Sequence, residues 1–112
     1  MNANVKPLSS PENVPLPPIN LLLAAIGAPV RWAILTELAS GEPRMVKEIA
    51  HKLGRSPTLV SKHMALLRRA GVVEIGRAGV YQIPAQFVVA PDKRHIDFGH
   101  CLLRMPATEA GA

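Results

Sequence analysis

The sequence of 112 residues predicts a small α+β domain that is mainly helical, with one short β-hairpin. The evidence for the helical part is the spacing of three residues. Ala50 lets two helices cross closely, Gly54 suits a turn with positive φ, and Val60 points back between the helices. Together they indicate two short helices that cross at about 90–120°. The predicted fold class is therefore a helix-turn-helix, to which the hairpin adds a wing.

Charge in this chain is concentrated in one segment. The whole chain has a formal net charge of +5 and a pI near 10.0. Residues 44–77 contain eight basic and two acidic side chains, so their net charge of +6 exceeds that of the whole chain. A basic excess on one motif indicates a polyanionic partner, and a solubilising surface is the alternative.

The two ends of the chain are predicted to lie outside the folded domain. We expect a flexible, proline-rich tail over residues 1–18, a domain over residues 19–105 and a disordered end over residues 106–112.

The single cysteine, Cys101, fits a reducing cytoplasm. The longest apolar run, residues 21–26, is too short to span a bilayer, so we expect a cytoplasmic protein without a membrane partner.

Three helices are predicted before the basic one. Residues 19–26 are apolar on almost every side, which predicts a helix buried in an interface. Pro29 suits the first turn of a second helix over residues 29–39. A third helix is predicted over residues 44–53. Its expected buried residues are Met45, Val46, Ile49, Ala50 and Leu53.

The fourth helix has the clearest boundaries. Ser56 is predicted as its N-cap and Pro57 as its first residue, and Gly71 follows its end at residue 70. Its expected buried stripe is Val60, Met64 and Leu67. His63 lies beside that stripe and is expected to be packed and hydrogen-bonded, while Arg31 is expected to pair with a carboxylate or a helix end.

The last third of the chain is predicted to form strands. Residues 72–75 and 80–83 are β-prone and flank a turn at residues 76–79, which predicts the wing. Residues 86–90 and 95–105 are predicted as further strand-like segments. On a single strand, His95 and Cys101 would be about 20 Å apart, so we expect packing and no metal site there.

The stretch SPTLVSKHMALLRRAGVV, residues 56–73, resembles the recognition helix of ArsR-type winged-helix transcriptional repressors. Those proteins carry a Ser/Thr-rich start, then Val-Ser-x-His-Leu, Leu and Ala-Gly-Leu-Val. Residues 22–54 are similar to the family's opening helices, with Gly27 and residues 31–35 where the family has Gly-x-x-x-Arg-x-x-Ile-Leu. The resemblance covers about residues 20–83 and implies a winged helix-turn-helix that binds operator DNA.

The chain departs from that family at two places. The wing is short, with Arg77 as its only basic residue, and the tail from Ala85 is strand-like where the family has a final helix. The third helix lacks the paired cysteines of metal-sensing members and contains only His51. Metal sensing is therefore not carried over, and we expect no cofactor.

The predicted DNA-binding residues fall into three groups. At the leading end of the fourth helix, base edges and phosphates are the expected targets of Ser56, Pro57, Thr58, Ser61 and Lys62. The phosphate backbone is the expected target of Arg44, Lys47, Arg55, Arg68 and Arg69. Arg77 on the wing is expected in the minor groove. For Arg68 and Arg69, a favourable interaction with the helix dipole is the alternative.

We therefore expect a sequence-specific transcriptional regulator of double-stranded DNA, most simply a repressor. A homodimer is expected through helix 19–26, with the C-terminal strands as a second element. Two alternatives stay open: a protein–protein interaction module and a non-specific architectural DNA binder. No nucleophile with a base, phosphate loop or metal-ligand spacing is visible, so we expect no enzyme.

Overall fold

The computed structural model describes residues 16–89 and 94–105. Predictions for residues 1–15, 90–93 and 106–112 lie outside the described residues. Four helices come first: α1 (Ile19–Ile26), α2 (Pro29–Leu38), α3 (Val46–Leu53) and α4 (Pro57–Arg69). Five short strands follow: β1 (Glu74–Ile75), β2 (Tyr81–Gln82), β3 (Val88–Val89), β4 (His95–Asp97) and β5 (Leu102–Arg104).

Helix α4 begins and ends for the reasons that the sequence indicated. The Ser56 hydroxyl accepts a hydrogen bond from the Leu59 N–H at 3.1 Å, and Pro57 occupies the first turn. Gly71 follows with φ of +84°, and the Val72 N–H donates to the Leu67 carbonyl. The predicted bounds of α4 are therefore confirmed to within one residue.

Pro17, which lies within the predicted tail, is buried beside Gly71.

The predicted start of α3 was wrong by two residues. Arg44 is in an extended conformation because it forms an isolated β-bridge with Tyr81, with N–H···O distances of 2.8 and 2.7 Å. Met45 is the N-cap and is 37% exposed, so it does not belong to the buried face. Its N–H donates to the Glu48 carboxylate at 2.7 Å, which helps to begin the helix at Val46.

The core forms where α4 packs against α1, α2 and α3. The predicted stripe of Val60, Met64 and Leu67 is fully buried. It belongs to one hydrophobic cluster with the buried residues of the other helices and of the C-terminal strands. The remaining large members of that cluster are Leu22, Ile34, Leu35, Leu38, Ile49, Val72, Val73, Ile83, Phe87, Ile96, Phe98 and Met105.

Helix α1 is only half covered within this chain. Leu22 and Ala25 are buried, whereas Ile19, Leu21 and Leu23 on its outer sides are exposed. Helices α1 and α2 are bent by 98° relative to one another. No single described helix has the length and hydropathy for a membrane span. Among the described helices, α1 and α2 reach the necessary length and apolar composition only when the bent pair is counted as one segment.

The wing is a two-stranded antiparallel hairpin, shorter than predicted. Glu74 pairs with Gln82 and Ile75 with Tyr81. Val72, Val73, Val80 and Ile83 were predicted as strand residues but lie outside the two strands. Val72, Val73 and Ile83 bury their side chains in the core. The tip contains a 3-10 turn, Arg77–Gly79, in which Ala78 has a φ of +61°. The predicted turn at residues 76–79 is confirmed.

The C-terminal strands form a separate antiparallel sheet in the order β3-β4-β5. The prediction of one strand over residues 95–105 was wrong, because the chain reverses at Gly99, where φ is +91°. The Gly99 N–H donates to the Asp97 carboxylate, and the Phe98 N–H donates to the Cys101 carbonyl. His95 therefore lies opposite Arg104. The strand predicted at residues 86–90 is also shorter, because residues Ala85–Phe87 form a 3-10 turn.

Replacing Gly54 by alanine is expected to lower the free energy of unfolding by about 1 kcal/mol. Gly54 has a φ of +66°, and an added Cβ would meet no atom within 4 Å, so the cost is conformational only. Chemical denaturation of the wild type and the variant measures this change in the free energy of unfolding. Gly76→Ala is the matched control, since Gly76 has a φ of −109° and its Cβ would contact Val80 at 3.5 Å. Equal stability of Gly54→Ala and the wild type would contradict the prediction.

Candidate nucleic-acid interface

The two sides of α4 differ sharply in chemistry. The inner stripe is apolar and fully buried. The outer side carries Thr58, Ser61 and Lys62, all exposed, together with the small exposed residue Ala65. None of the thirteen residues of this helix is acidic. A convex, polar and basic helix face of this kind can lie against a polyanion without a bulky side chain between them.

The leading end of α4 is held in place by the turn that precedes it. Gly54 is left-handed, and the Arg55 N–H donates to the Ala50 carbonyl at 3.0 Å. Ser56 accepts the capping bond through its Oγ, which leaves its O–H free to donate. Arg55, Ser56 and Pro57 are all exposed. The helix dipole adds partial positive charge at this end, so side chains and backbone favour an anion together.

The basic residues that flank the helix differ in how far neighbouring acids neutralise them. Arg44 is half-buried and lies 3.5 Å from Glu42, with its Nε buried and without a hydrogen-bond partner. Lys52 lies 3.7 Å from Glu37. In contrast, Lys47, Arg55 and Lys62 have no ion pair within the part of the chain that the structure describes. No acidic side chain among the described residues therefore neutralises these three positive charges, and they can interact with a polyanion.

The remaining predicted contacts lie at the far end of α4 and on the wing. Arg68 and Arg69 are exposed in the last turn of the helix, where the dipole alternative also applies. Arg69 lines a groove against α1. Arg77 is exposed at the wing tip, next to Ala78 and Gly79, which both have positive φ. The structure thus brings the first group of predicted residues together and leaves Arg68, Arg69 and Arg77 at its margins.

Arg31 connects three helices. Its Nε–H donates to the Ala25 carbonyl at 2.6 Å, and a second nitrogen donates to the Ala24 carbonyl at 3.2 Å. The third nitrogen lies 3.0 Å from Nδ1 of His63 on α4. Both expectations for these residues are confirmed: Arg31 binds a helix end, and His63 is packed and hydrogen-bonded. The pairing of Arg31 with His63, 32 residues apart, was not foreseen because no local pattern encodes it.

The pKa of His63 is lowered from the usual 6.5, first by burial and then by the positive charges of Arg31 and Arg55. The unfolded chain therefore binds a proton at His63 more readily than the folded chain does. Stability from this residue is complete above pH 6.5 and decreases as the pH falls toward the lower pKa of the folded state.

We expect His63→Gln to remove part of that pH dependence. Glutamine can still accept a hydrogen bond from Arg31, but it does not titrate. Denaturant unfolding between pH 5 and pH 8 tests this, and the wild type should lose more stability below pH 6.5 than the variant loses. His51→Gln is the control, because His51 is exposed. Parallel pH profiles for the wild type and His63→Gln would contradict the prediction.

Cys101 and its neighbours do not form a metal site in the structure. Among residues 16–89 and 94–105, no group of three His, Cys, Asp or Glu side chains is placed to hold a metal ion. Cys101 is a half-buried free thiol, and its pKa is raised by burial and by the Asp97 carboxylate. A raised thiol pKa makes a cysteine less reactive, in line with the packing role expected from the sequence.

Comparison with known proteins agrees with this geometry. Residues 26–75 match the model of a family described as a helix-turn-helix domain. The "HTH-type transcriptional repressor SmtB" of Mycobacterium tuberculosis is 43% identical to this chain over 58 residues, in both strain CDC 1551 / Oshkosh and strain ATCC 25618 / H37Rv. The alignment covers 52% of this chain and 42% of each relative, so the chain spans less than half the length of the curated relatives it matches.

The chain carries a helix-turn-helix domain, which the β1–β2 hairpin extends into a winged helix-turn-helix of the α+β class. The similarity to these repressors over 58 residues confirms the resemblance to ArsR-type regulators that the sequence motifs indicated. Helix-turn-helix regulators are a non-enzymatic kind of protein.

Proposed function

We propose that this protein binds double-stranded DNA and regulates transcription as a repressor. One observation carries the proposal: α4 buries its apolar stripe completely and turns a face without acidic residues outward. The match to a helix-turn-helix family and the similarity to repressors named SmtB support it. A protein that acts on DNA in this way belongs in the cytoplasm, where we place it.

In the proposed complex, the N-terminal end of α4 enters the major groove. Thr58, Ser61 and Lys62 then face the base edges, where hydroxyls can bond to any base and lysine favours guanine. Ser56 and the first helical N–H groups bind a phosphate, and Pro57 leaves the capping geometry undisturbed.

The remaining basic residues bind the phosphate backbone and position the helix. Arg55 directly precedes the leading end of α4, Lys47 is exposed on α3, and Arg68 and Arg69 lie in the last turn of α4. Arg77 reaches the adjacent minor groove from the wing tip. Because Arg44 already has Glu42 beside it, we expect Arg44 to contribute less to affinity than Lys47.

We further propose a homodimer through α1, because two recognition helices on two half-sites multiply affinity. Leu23 is 57% exposed on the outer side of that helix, and burying an apolar side chain of this kind favours association. The C-terminal sheet, with Leu102 exposed on β5, is the second candidate element.

Light scattering at micromolar concentration tests the dimer. We expect the mass of two chains for the wild type and of one chain for Leu23→Asp, since an outward-facing residue changes without loss of the core. Leu102→Asp, on β5, tests the second element in the same way. A monomeric wild type would contradict the proposal.

Fluorescence anisotropy tests DNA binding. The protein is titrated into labelled duplex from upstream of its own gene and into a scrambled duplex, at low and physiological salt. Repression of its own gene predicts a preference of about 10³-fold or more for the upstream DNA. Equal, salt-sensitive binding to both duplexes would indicate an architectural role, and binding to neither would favour a protein–protein module.

A further inference from the structure

A groove of about 190 Å³ lies between α1 and the C-terminal half of α4. It is separate from the outer side of α4 that carries Thr58, Ser61 and Lys62, none of which lines it. Its apolar lining consists of Leu21, Ala24 and Ala25 on α1, with Leu66 and Ala70 at the end of α4.

The groove combines exposed apolar residues, Leu21, Ala24 and Leu66, with the buried residues Ala25 and Ala70 at its base. Leu21 and Ala24 are three residues apart on α1, and Leu66 on α4 is four residues before Ala70, the residue that caps this helix, so each pair lies along one side of its helix. Leu21 is 42% exposed and Leu66 is 43% exposed. The alanines between them are small, and this is why a cavity remains where larger side chains would have filled it.

The charged part of the groove consists of two arginines. Arg69 has no ion pair or hydrogen bond among the residues that the structure describes. Arg31 is fixed by the carbonyls of Ala24 and Ala25 and by His63, which occupy three of its five N–H groups. Two N–H groups stay available, and no acidic side chain lines the groove. Apolar walls with a cationic rim complement an apolar molecule that carries one negative charge.

We propose that this groove binds a small carboxylate with an apolar body, of which an aromatic acid is the simplest form. A cavity of about 150 Å³ is known to hold a benzene ring, so a groove of this volume accommodates a ring with one carboxylate. The ring lies between Leu21 and Leu66, and the carboxylate binds the guanidinium groups of Arg69 and Arg31.

The proposed ligand does not compete with the dimer for the same surface. At 100° per residue, Leu21 and Leu23 lie about 160° apart around α1, so the two flanks face different ways. Ligand binding also needs no DNA. The proposal therefore stands or fails independently of the proposed function.

Benzoate titrated into the full-length protein tests the groove, followed by ¹H–¹⁵N and methyl NMR. We expect saturable shifts confined to the residues of the groove, with a Kd on the order of 1 mM for so small a ligand. Ala24→Leu fills the groove from an exposed position and is expected to abolish binding. Arg69→Gln is expected to weaken it about tenfold. Arg104→Gln, which removes a charge from β5, is the matched control and should bind as the wild type does.

Benzyl alcohol separates the apolar contribution from the charged one. It has the same ring without the carboxylate and should bind at least tenfold more weakly than benzoate. Equal binding of the two compounds, unaltered benzoate binding by Ala24→Leu, or no saturable shifts up to about 20 mM benzoate would each overturn the proposal. Melting temperatures of the variants show whether they are folded. If Ala24→Leu is not folded, Arg69→Gln decides the test, since unaltered benzoate binding by that variant would also overturn the proposal.

Discussion

Replacing Lys62 by glutamate is expected to weaken binding to the upstream DNA about 100-fold without loss of stability. Lys62 is exposed on the outer side of α4 and has no acidic partner among the described residues, so no internal interaction is lost. Loss of one base or phosphate contact costs about 1–3 kcal/mol, and the new carboxylate adds repulsion from the phosphates. Fluorescence anisotropy gives the affinity, and thermal unfolding shows that the fold is retained.

The kind of contact that Lys62 makes can be read from Lys62→Gln. A phosphate contact predicts a uniform loss of affinity over all duplexes and a slope of log K against log salt that is about one unit shallower. A base contact predicts relaxed specificity at one position. Arg104→Glu imposes the same change of charge on β5 and serves as the control. If Arg104→Glu weakened binding as much as Lys62→Glu, the effect would come from net charge and not from α4.

Replacing Leu67 by alanine is expected to lower the free energy of unfolding by about 2–5 kcal/mol. Leu67 is fully buried on the helix that packs against α1, α2 and α3, so the cavity would form at the centre of the core. Domains of this size commonly have about 5–15 kcal/mol of total stability, so the variant would be close to unfolding. Denaturant unfolding followed by circular dichroism measures the change.

Two further variants show whether the loss of stability comes from the cavity in the core or from the change of residue type itself. Leu66→Ala changes the same residue type on the same helix, but Leu66 is exposed, and surface changes usually stay within about 0.5 kcal/mol. Leu67→Met conserves the side-chain volume and should cost less than about 1.5 kcal/mol. If Leu66→Ala and Leu67→Ala lowered the free energy of unfolding by the same amount, α4 would not be oriented as the structure places it.

Local signals in the sequence predicted the part of the fold that depends on near neighbours. Ser56 and Pro57 start α4 through contacts within one helical turn, and Gly54 and Gly71 end helices through their own φ. The buried stripe of α4 follows from helical periodicity alone. The outer residues of the candidate interface could be predicted for the same reason, since the side opposite a buried stripe is exposed.

The errors occur where partners distant in sequence compete with local preference. Residues 44 and 45 look helical by themselves, but Tyr81 pairs with the Arg44 backbone and keeps it extended. Residues 95–105 alternate like one strand, yet β4 and β5 pair with each other around Gly99. Residue periodicity does not reveal such a reversal when the turn contains no proline.

The sequence by itself determined the helix-turn-helix, the polar face of α4 and the concentration of positive charge in residues 44–77. Each of these depends on residues within a few turns of each other, and the chain encodes such neighbours directly. Tertiary structure alone decided that Arg31 joins α1 to His63, and that Leu21 and Leu66 border one groove. Those contacts join residues 32 and 45 positions apart, and only the packing of α1 and α2 against α4 brings them together.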